Sequence, residues 1–331
     1  MSVPKAIPLP TNPFPESAFG PAYKRCLDLE AAASRLKAPP GCPPPIISAR
    51  LLGHLLRIAP PGNGQGQVQR DIMNASDDNA LMEVASVYQN GFIRAFKRSK
   101  GPTPAPSEHP SRPSFEDARA YSLQLMEEGK LDHRCARDAA MLRDDYRCVV
   151  TGTRDLDHGG HDYVEAAHII PESTTTDINA IERKHFLSGG VWTILAMFTD
   201  VSIITELAGN KIYRLENLVM MNPRCHHLFD DLRFWLKPVE GAPNTYTTHL
   251  GREDWRHDIP HTVILATTTD LPLPCGAYFA LHALCCEVAW MSGAAEYIME
   301  IERRMDQTWV LANDGSTADL LARALSFITL H

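Results

Sequence analysis

The chain has 331 residues, of which 44% are hydrophobic and 22% are charged, and its formal net charge is −8. These proportions are those of ordinary globular proteins and exclude collagen-like, coiled-coil and wholly disordered chains. The length is sufficient for one large or two modest domains with a hydrophobic core. The acidic balance argues against a generally basic surface, so binding to nucleic acid would require a local positive groove.

The cysteines and the N-terminus indicate the cellular compartment. Eight cysteines are scattered along the chain without the dense spacing of a disulfide framework, which favours reduced thiols. Residues 1–15 lack the charged start and apolar stretch of a secretory signal, so we expect an intracellular protein of the nucleus or cytoplasm. The apolar stretches 191–208 and 275–295 contain titratable residues, which favours buried helices over membrane spans.

The first hundred residues are predicted to form a proline-rich arm followed by helices. Residues 1–45 should form an extended arm around one short helix near residues 22–36. Residues 46–100 are assigned to an N-terminal helical region. Within it, an apolar segment is followed by a Gly- and Pro-rich break, and a 3.6-residue apolar stripe predicts one helix over residues 69–98.

A linker and a second region follow. Residues 101–114 combine proline, serine and glycine with almost no apolar content, as linkers do. Ser114 with Asp117 three positions later predicts a helix start at the beginning of the next domain, residues 115–240.

The C-terminal part, residues 241–331, is predicted to be a strand pair with a helical cover. Strands are expected at residues 246–250 and 262–267 from their composition. Helices are expected at residues 278–305 and 317–328, and the first has an apolar face at helical spacing.

Three short pieces in the middle of the chain carry the residues best suited to chemistry. They are RCVVTG at residues 147–152, EAAHIIP at 165–171 and ENLVMMNPRCHHLFDDLRFWL at 216–236. Together they resemble the HNH nuclease family, in the fungal-type branch with the pieces C-x-x-T-G, A-A-H-I-x-P and N-x-x-x-L followed by H-x-x-F-D. Three pieces in the right order are more specific than an isolated histidine.

The spacing of the third piece supports the resemblance. Asn217 precedes His226 by nine positions (226 − 217), and Asp230 follows four positions later (230 − 226). The resemblance implies an α+β fold whose ββα-metal core is embedded between N-terminal and C-terminal helices. A large insertion, residues 172–216, would lie within that core and could form a lid, a partner surface or, by default, additional core.

The resemblance and ordinary acid–base chemistry suggest roles for two residues. His168 lies at the end of a β-rich run and has an imidazole whose usual pKa of about 6.5 suits a general base at physiological pH. The resemblance implies that Asn217 ties the preceding loop to the backbone and so orients His168.

His226 and Asp230 are the expected metal ligands. If a helix starts at Asn222, i,i+4 spacing places both side chains on one face. Imidazole nitrogen and carboxylate oxygen suit Mg²⁺ or Mn²⁺, with Zn²⁺ as a further alternative. His227 and Arg224 are candidates for phosphate or substrate contacts.

One departure from the family pattern concerns the metal. Many HNH nucleases have a metal-binding aspartate immediately before the base, where this chain has Ala167. Weak or exchangeable metal binding is therefore expected. Glu165 is only a speculative replacement, because strand alternation places it on the opposite face from His168.

A second departure concerns structural zinc. Other HNH proteins use two C-x-x-C pairs, but Thr151 follows Cys148 and Asn222 precedes Cys225 at the corresponding positions. Because half of the thiolates are missing, no structural four-cysteine zinc site is expected.

Three functions remain open on the sequence. The first is a metal-dependent endonuclease acting on DNA, with RNA as the less favoured substrate. The others are a retasked scaffold that binds without cleaving and an enzyme that uses the His base on a small molecule. No membrane partner is expected, and the oligomeric state is left open. The first function predicts a positive rim near His168, whose candidates are Arg143, Arg147, Arg154, Arg183, Lys184 and Arg224; the third predicts an enclosed apolar pocket there.

Overall fold

The computed structural model describes residues 6–97, 133–174, 191–200 and 202–307. It is a mixed α+β structure with small sheets. The chain divides into two compact units. Unit 1 comprises Met1–Ala95, Asp177–Ser202 and Leu284–His331, and unit 2 comprises Phe96–Thr176 and Ile203–Ala283. The linker at 101–114, the helix predicted from Ser114 and the helix predicted at 317–328 lie outside the described residues.

Unit 1 begins with a group of packed helices. They are α1 (Gly20–Ala32), α2 (Pro45–Ile58), α3 (Asn63–Asn74) and α4 (Asp78–Tyr88), followed by a π-helical turn at Gln89–Ile93. The short helix predicted near residues 22–36 corresponds to α1 and a following 3₁₀ turn at Ala33–Arg35. The apolar segment at 46–58 forms α2, whose buried leucines contribute to the core of this unit.

The prediction of one continuous helix over residues 69–98 is wrong. The chain ends α3 at Asn74 and starts α4 at Asp78. Asp77 causes the new start, because its side chain accepts a hydrogen bond of 2.9 Å from the Ala80 N–H and so caps α4. The apolar stripe behind the prediction begins at Met82, after the break, so the periodicity carried no information about residues 75–77.

The described part of the proline-rich arm packs on α1 and α2. The Glu30 carboxylate accepts a hydrogen bond from the Leu9 N–H at 3.2 Å. His54 Nε2 lies 2.8 Å from the Ile7 carbonyl oxygen. These contacts hold the extended segment along the surface of the two helices.

Residues 191–198, which lie within the segment predicted to be an insertion, contribute to the core of unit 1. Residues 191–197 are helical. The rings of Phe92 and Phe198 are 4.9 Å apart. A Cβ atom at Gly91 would lie 2.5 Å from Cδ1 of Ile194, so the end of the Ile194 side chain packs directly against the glycine. Residues 191–198 therefore serve as additional core.

The helix predicted at residues 278–305 is divided in two. The structure has α8 (Gly276–Ser292) and α9 (Ala294–Gln307). The break lies at Gly293, whose φ of +84° is a left-handed conformation that glycine adopts readily.

Unit 2 contains a strand pair between two helices. Strands β1 (Glu165–His168) and β2 (Leu218–Met221) are antiparallel, with His168 opposite Leu218. Helix α5 (His133–Arg143) packs against the pair through a cluster of alanines. Helix α7 (Pro223–Asp230) contacts both strands. The strands are therefore close to both helices.

The rest of unit 2 is a small antiparallel sheet and a short helix, α6 (Ile203–Leu207). The sheet has the order β3 (Phe234–Pro238), β4 (Thr245–Leu250) and β5 (Thr262–Ile264). The two strands predicted in this region are present, although β5 ends three residues earlier than expected. Among the described residues, no helix is both long enough and apolar enough to cross a bilayer.

Candidate functional site

Helix α7 begins where the sequence predicts. Asn222 caps the helix, since its Oδ1 accepts a hydrogen bond of 2.9 Å from the Cys225 N–H, and Pro223 occupies the first turn. One turn later, His226 and Asp230 lie on the same face. The Nε2 atom of His226 is 3.2 Å from Oδ2 of Asp230.

The other ring nitrogen of His226 meets a residue of β1. Its Nδ1 atom lies 2.8 Å from Oε2 of Glu165, so the imidazole sits between two carboxylates. Burial favours the neutral ring, but the hydrogen bonds to Asp230 and Glu165 raise the pKa of His226 to about 9. Glu165 and His168 lie on opposite faces of β1, as strand alternation predicts. The face that carries Glu165 is the one that meets His226.

The pair of His226 and Asp230 fits a divalent metal ion. Nε2 of His226 and Oδ2 of Asp230 are 3.2 Å apart, so both atoms could bind one divalent ion. Glu165 meets a second requirement, because a metal-bound histidine usually donates its other N–H to a carboxylate. In the described parts of the chain, no group of three or more His, Cys, Asp or Glu side chains is arranged to hold a metal. A two-ligand site would suit Mg²⁺, which keeps several waters.

His168 ends β1, and its ring centroid lies 5.8 Å from that of Tyr213. The Nε2 atom of His168 is buried. The backbone after His168 is bonded to the chain before β2, since the Ile169 N–H donates to the Asn217 carbonyl at 2.9 Å. These contacts fix the strand end that carries the imidazole.

Asn217 is fully buried in a 3₁₀ turn at Leu215–Asn217, immediately before β2. Its Oδ1 accepts a hydrogen bond from the Ile170 N–H at 2.8 Å. Its Nδ2 donates to the carbonyl oxygens of Ile170 and Ile212 at 2.9 and 3.0 Å. The side chain therefore joins the backbone of Ile170, just after β1, to the backbone of Ile212.

Arg224 and His227 project from the exposed side of α7. Arg224 donates hydrogen bonds to the carbonyl oxygens of His257 and Trp255 at 2.7 and 2.5 Å, and so holds that loop on the helix. His227 is largely exposed, with Nε2 at 3.5 Å from Oδ2 of Asp231. Both side chains already make contacts within the protein.

Arg143 does not belong to a positive rim, contrary to the prediction. Its side chain is fully buried and forms two hydrogen bonds of 2.7 Å with the Asp144 carboxylate. It also donates to the carbonyl oxygens of Leu215 and Leu218, at 2.7 and 2.9 Å. The guanidinium thus braces both sides of the turn that carries Asn217, a role that a basic residue at the end of a predicted helix does not reveal.

Two other candidates for the rim share one carboxylate. Arg147 and Arg154 each lie 3.0 Å from an oxygen of Asp145, which partly neutralises them. The remaining candidates, Arg183 and Lys184, lie outside the described residues.

Cys148 and Cys225 form a buried, hydrogen-bonded thiol pair. The Cys148 sulfur also accepts a hydrogen bond of 3.4 Å from the Thr151 N–H. The hydrogen bond from Cys225 and those from Thr151 lower the pKa of Cys148 to about 6, although burial acts in the opposite direction. The same pairing raises the pKa of Cys225.

Comparison with known protein families found a match to part of this chain. Residues 148–237 match the HNH_2 family model, described as HNH endonuclease. The match covers 90 residues (237 − 148 + 1) of the 331. Neither the curated proteins nor the solved structures gave a match. Residues 148–237 are therefore similar to an HNH endonuclease domain, which indicates a nuclease function in general.

Proposed function

We propose that this protein is a divalent-metal-dependent endonuclease of the HNH type that hydrolyses phosphodiester bonds, with DNA as the preferred substrate. The observation that carries the proposal is the row of Glu165, His226 and Asp230. A histidine that binds metal needs a carboxylate on one ring nitrogen and a second ligand beside the other. Glu165 lies at Nδ1 of His226, and Asp230 lies beside Nε2.

His226 and Asp230 would hold the metal, and Glu165 would orient the His226 ring through Nδ1. When bound, Mg²⁺ or Mn²⁺ would supply positive charge beside the phosphate and stabilise the leaving oxygen. Few protein ligands would make this metal exchangeable, as expected from Ala167 in the position of the usual aspartate.

His168 would act as the general base. A neutral imidazole can accept a proton from the attacking water. Asn217 would act on orientation alone, because its three hydrogen bonds fix the backbone that follows His168. Glu165 would position the His226 ring, a role that strand alternation alone did not predict.

The exposed face of α7 would contact the substrate. Arg224 has five N–H donors, and two of its nitrogens bond to the 255–257 loop, which leaves donors for a phosphate oxygen. His227 is exposed on the same helix and would contact a neighbouring phosphate. Arg224 would supply part of the positive charge that Arg143 does not.

Neither alternative function has a specific observation in its favour. A small-molecule enzyme would need a pocket at His168, whereas a cavity of about 400 Å³ in the described structure is lined by residues of the 238–246 hairpin and by Gly276. A protein that binds without cleaving would not require His226 and Asp230 to lie next to each other on one face of α7, as they do.

The test is incubation of the purified full chain with supercoiled plasmid in Mg²⁺, Mn²⁺, Zn²⁺ or EDTA. We expect nicking with Mg²⁺ or Mn²⁺, none in EDTA, and a loss of about 100-fold or more in His168→Ala and His226→Ala. Glu165→Gln should lose about 10- to 100-fold. The matched control is His261→Ala, a substitution of an exposed histidine. Absence of cleavage with every metal, or equal cleavage by His168→Ala, would exclude the proposal.

The preferred nucleic acid is tested separately. Labelled single-stranded and double-stranded DNA and RNA of one sequence should be compared at the same enzyme and metal concentrations. Faster cleavage of DNA is expected, and faster cleavage of RNA would reassign the substrate while leaving the nuclease activity intact.

A further inference from the structure

The two ends of the insertion are joined beside His168. The hydroxyl of Tyr213 donates a hydrogen bond to the carboxylate of Glu172, across 41 positions of the chain. The amide of Asn217 makes a second connection, between Ile170 and Ile212. Two adjacent connections therefore fix the position of Tyr213 relative to the end of β1.

The Tyr213 ring lies against His168. The two ring centroids are 5.8 Å apart and the ring planes are inclined by 58°. Both side chains are half-buried. Because Glu172 holds the hydroxyl and Asn217 holds the neighbouring backbone, the ring is restrained at both ends. It therefore limits the orientations that the imidazole can take.

We propose that Tyr213 is a positioning residue for His168 and that Glu172 holds it in place. For its catalytic consequence the inference rests on the proposed function, in which His168 is the base. A general base must be aligned with the water that it deprotonates, and a displacement of about 1 Å can reduce a rate by about 100-fold. Tyr213 touches the base rather than the substrate, so its effect should fall on the chemical step.

The test uses Tyr213→Ala, Tyr213→Phe and Glu172→Gln in the full chain. Tyr163→Ala, an exposed tyrosine in the same unit, is the matched control. The readouts are kcat and KM on a labelled duplex and the side-chain ¹⁵N–¹H NMR signals of His168, assigned by their loss in His168→Ala. The NMR readout needs no cleavage, so failure of the inference and failure of the proposed function are distinguishable.

Tyr213→Ala should lower kcat by about 10- to 100-fold with KM within about 3-fold, and it should shift or broaden the His168 signals. Tyr213→Phe keeps the ring and loses the bond to Glu172. It should resemble Glu172→Gln, and both should lose less kcat than Tyr213→Ala. In both, the His168 signals should lie closer to their wild-type positions than they do in Tyr213→Ala. Tyr163→Ala should change none of these quantities.

Two results would overturn the inference. One is a folded Tyr213→Ala protein with unchanged His168 signals and kcat. The other is an equal effect of Tyr213→Phe and Tyr213→Ala on the His168 signals, which would make the ring irrelevant. If Tyr213→Ala does not fold, Glu172→Gln and Tyr213→Phe decide: unchanged His168 signals and kcat in both would overturn the proposal.

Discussion

The side chain of Asn217 exchanges two hydrogen bonds with the backbone of Ile170. Its Oδ1 accepts from the Ile170 N–H at 2.8 Å, and its Nδ2 donates to the Ile170 carbonyl at 2.9 Å. This amide mimics a backbone pairing partner, so the chain beyond β1 continues the bonding pattern of the strand.

Asn217→Ala should therefore lower both stability and cleavage. It leaves the two buried backbone groups of Ile170 unsatisfied, at a cost of about 2–4 kcal/mol in the free energy of unfolding. Urea denaturation measures this loss, and the plasmid assay measures the accompanying loss of cleavage. Asn210→Ala, an exposed asparagine of the same segment, is the control and should leave both values unchanged.

Arg143→Met should be among the most destabilising single substitutions in unit 2. It leaves the buried carboxylate of Asp144 without its cation, and breaking a buried pair in this way costs about 3–5 kcal/mol. Arg147→Met breaks an exposed pair and should cost less than about 1 kcal/mol. Equal urea midpoints for the two variants would contradict the buried bridge.

His282 should make the protein less stable in acid. Burial lowers its pKa to about 3, and its ring stacks on Phe229 at 3.8 Å. Between about pH 6.5 and pH 3 the unfolded chain binds a proton at His282 and the folded chain does not, so stability falls as the pH is lowered. His282→Phe should reduce this slope in urea titrations at several pH values. His261→Phe, at an exposed position, should retain the wild-type slope.

Cys148 should be a thiolate at neutral pH. Its absorbance near 240 nm should rise with a midpoint near pH 6, because Cys225 and Thr151 donate hydrogen bonds to its sulfur. The stabilisation from this thiolate is complete above pH 9 and is lost as the pH falls through about 6. Cys148→Ser should abolish the transition, and Cys225→Ala, which removes the main donor to the sulfur, should move it to a higher pH. A wild-type midpoint near pH 9 would contradict the pair.

Local features of the sequence predicted helix α7 well. Asn222 and Pro223 are adjacent to the helix they start, and the spacing of His226 and Asp230 fixes a common face without any other part of the chain. These are interactions over four positions, which residue patterns describe directly.

Long-range partners could not be predicted in the same way. Glu165 meets His226 across 61 positions, and the contact depends on which side of β1 faces α7. The breaks at Asp77 and Gly293 were also missed, because one apolar stripe begins only at Met82 and the other covers only residues 278–288. Arg143 gave no sign of burial, since a basic residue at a helix end is usually solvated.

The antiparallel strands β1 and β2 are connected by a long segment rather than by a tight turn. His168 and Leu218 are partners 50 positions apart (218 − 168). Closing a loop of this length costs entropy before any strand contact forms, and such non-local pairings slow folding. In refolding experiments, the hydrogen-exchange protection of the β1 and β2 region should therefore develop later than that of the neighbouring hairpin of β3 and β4.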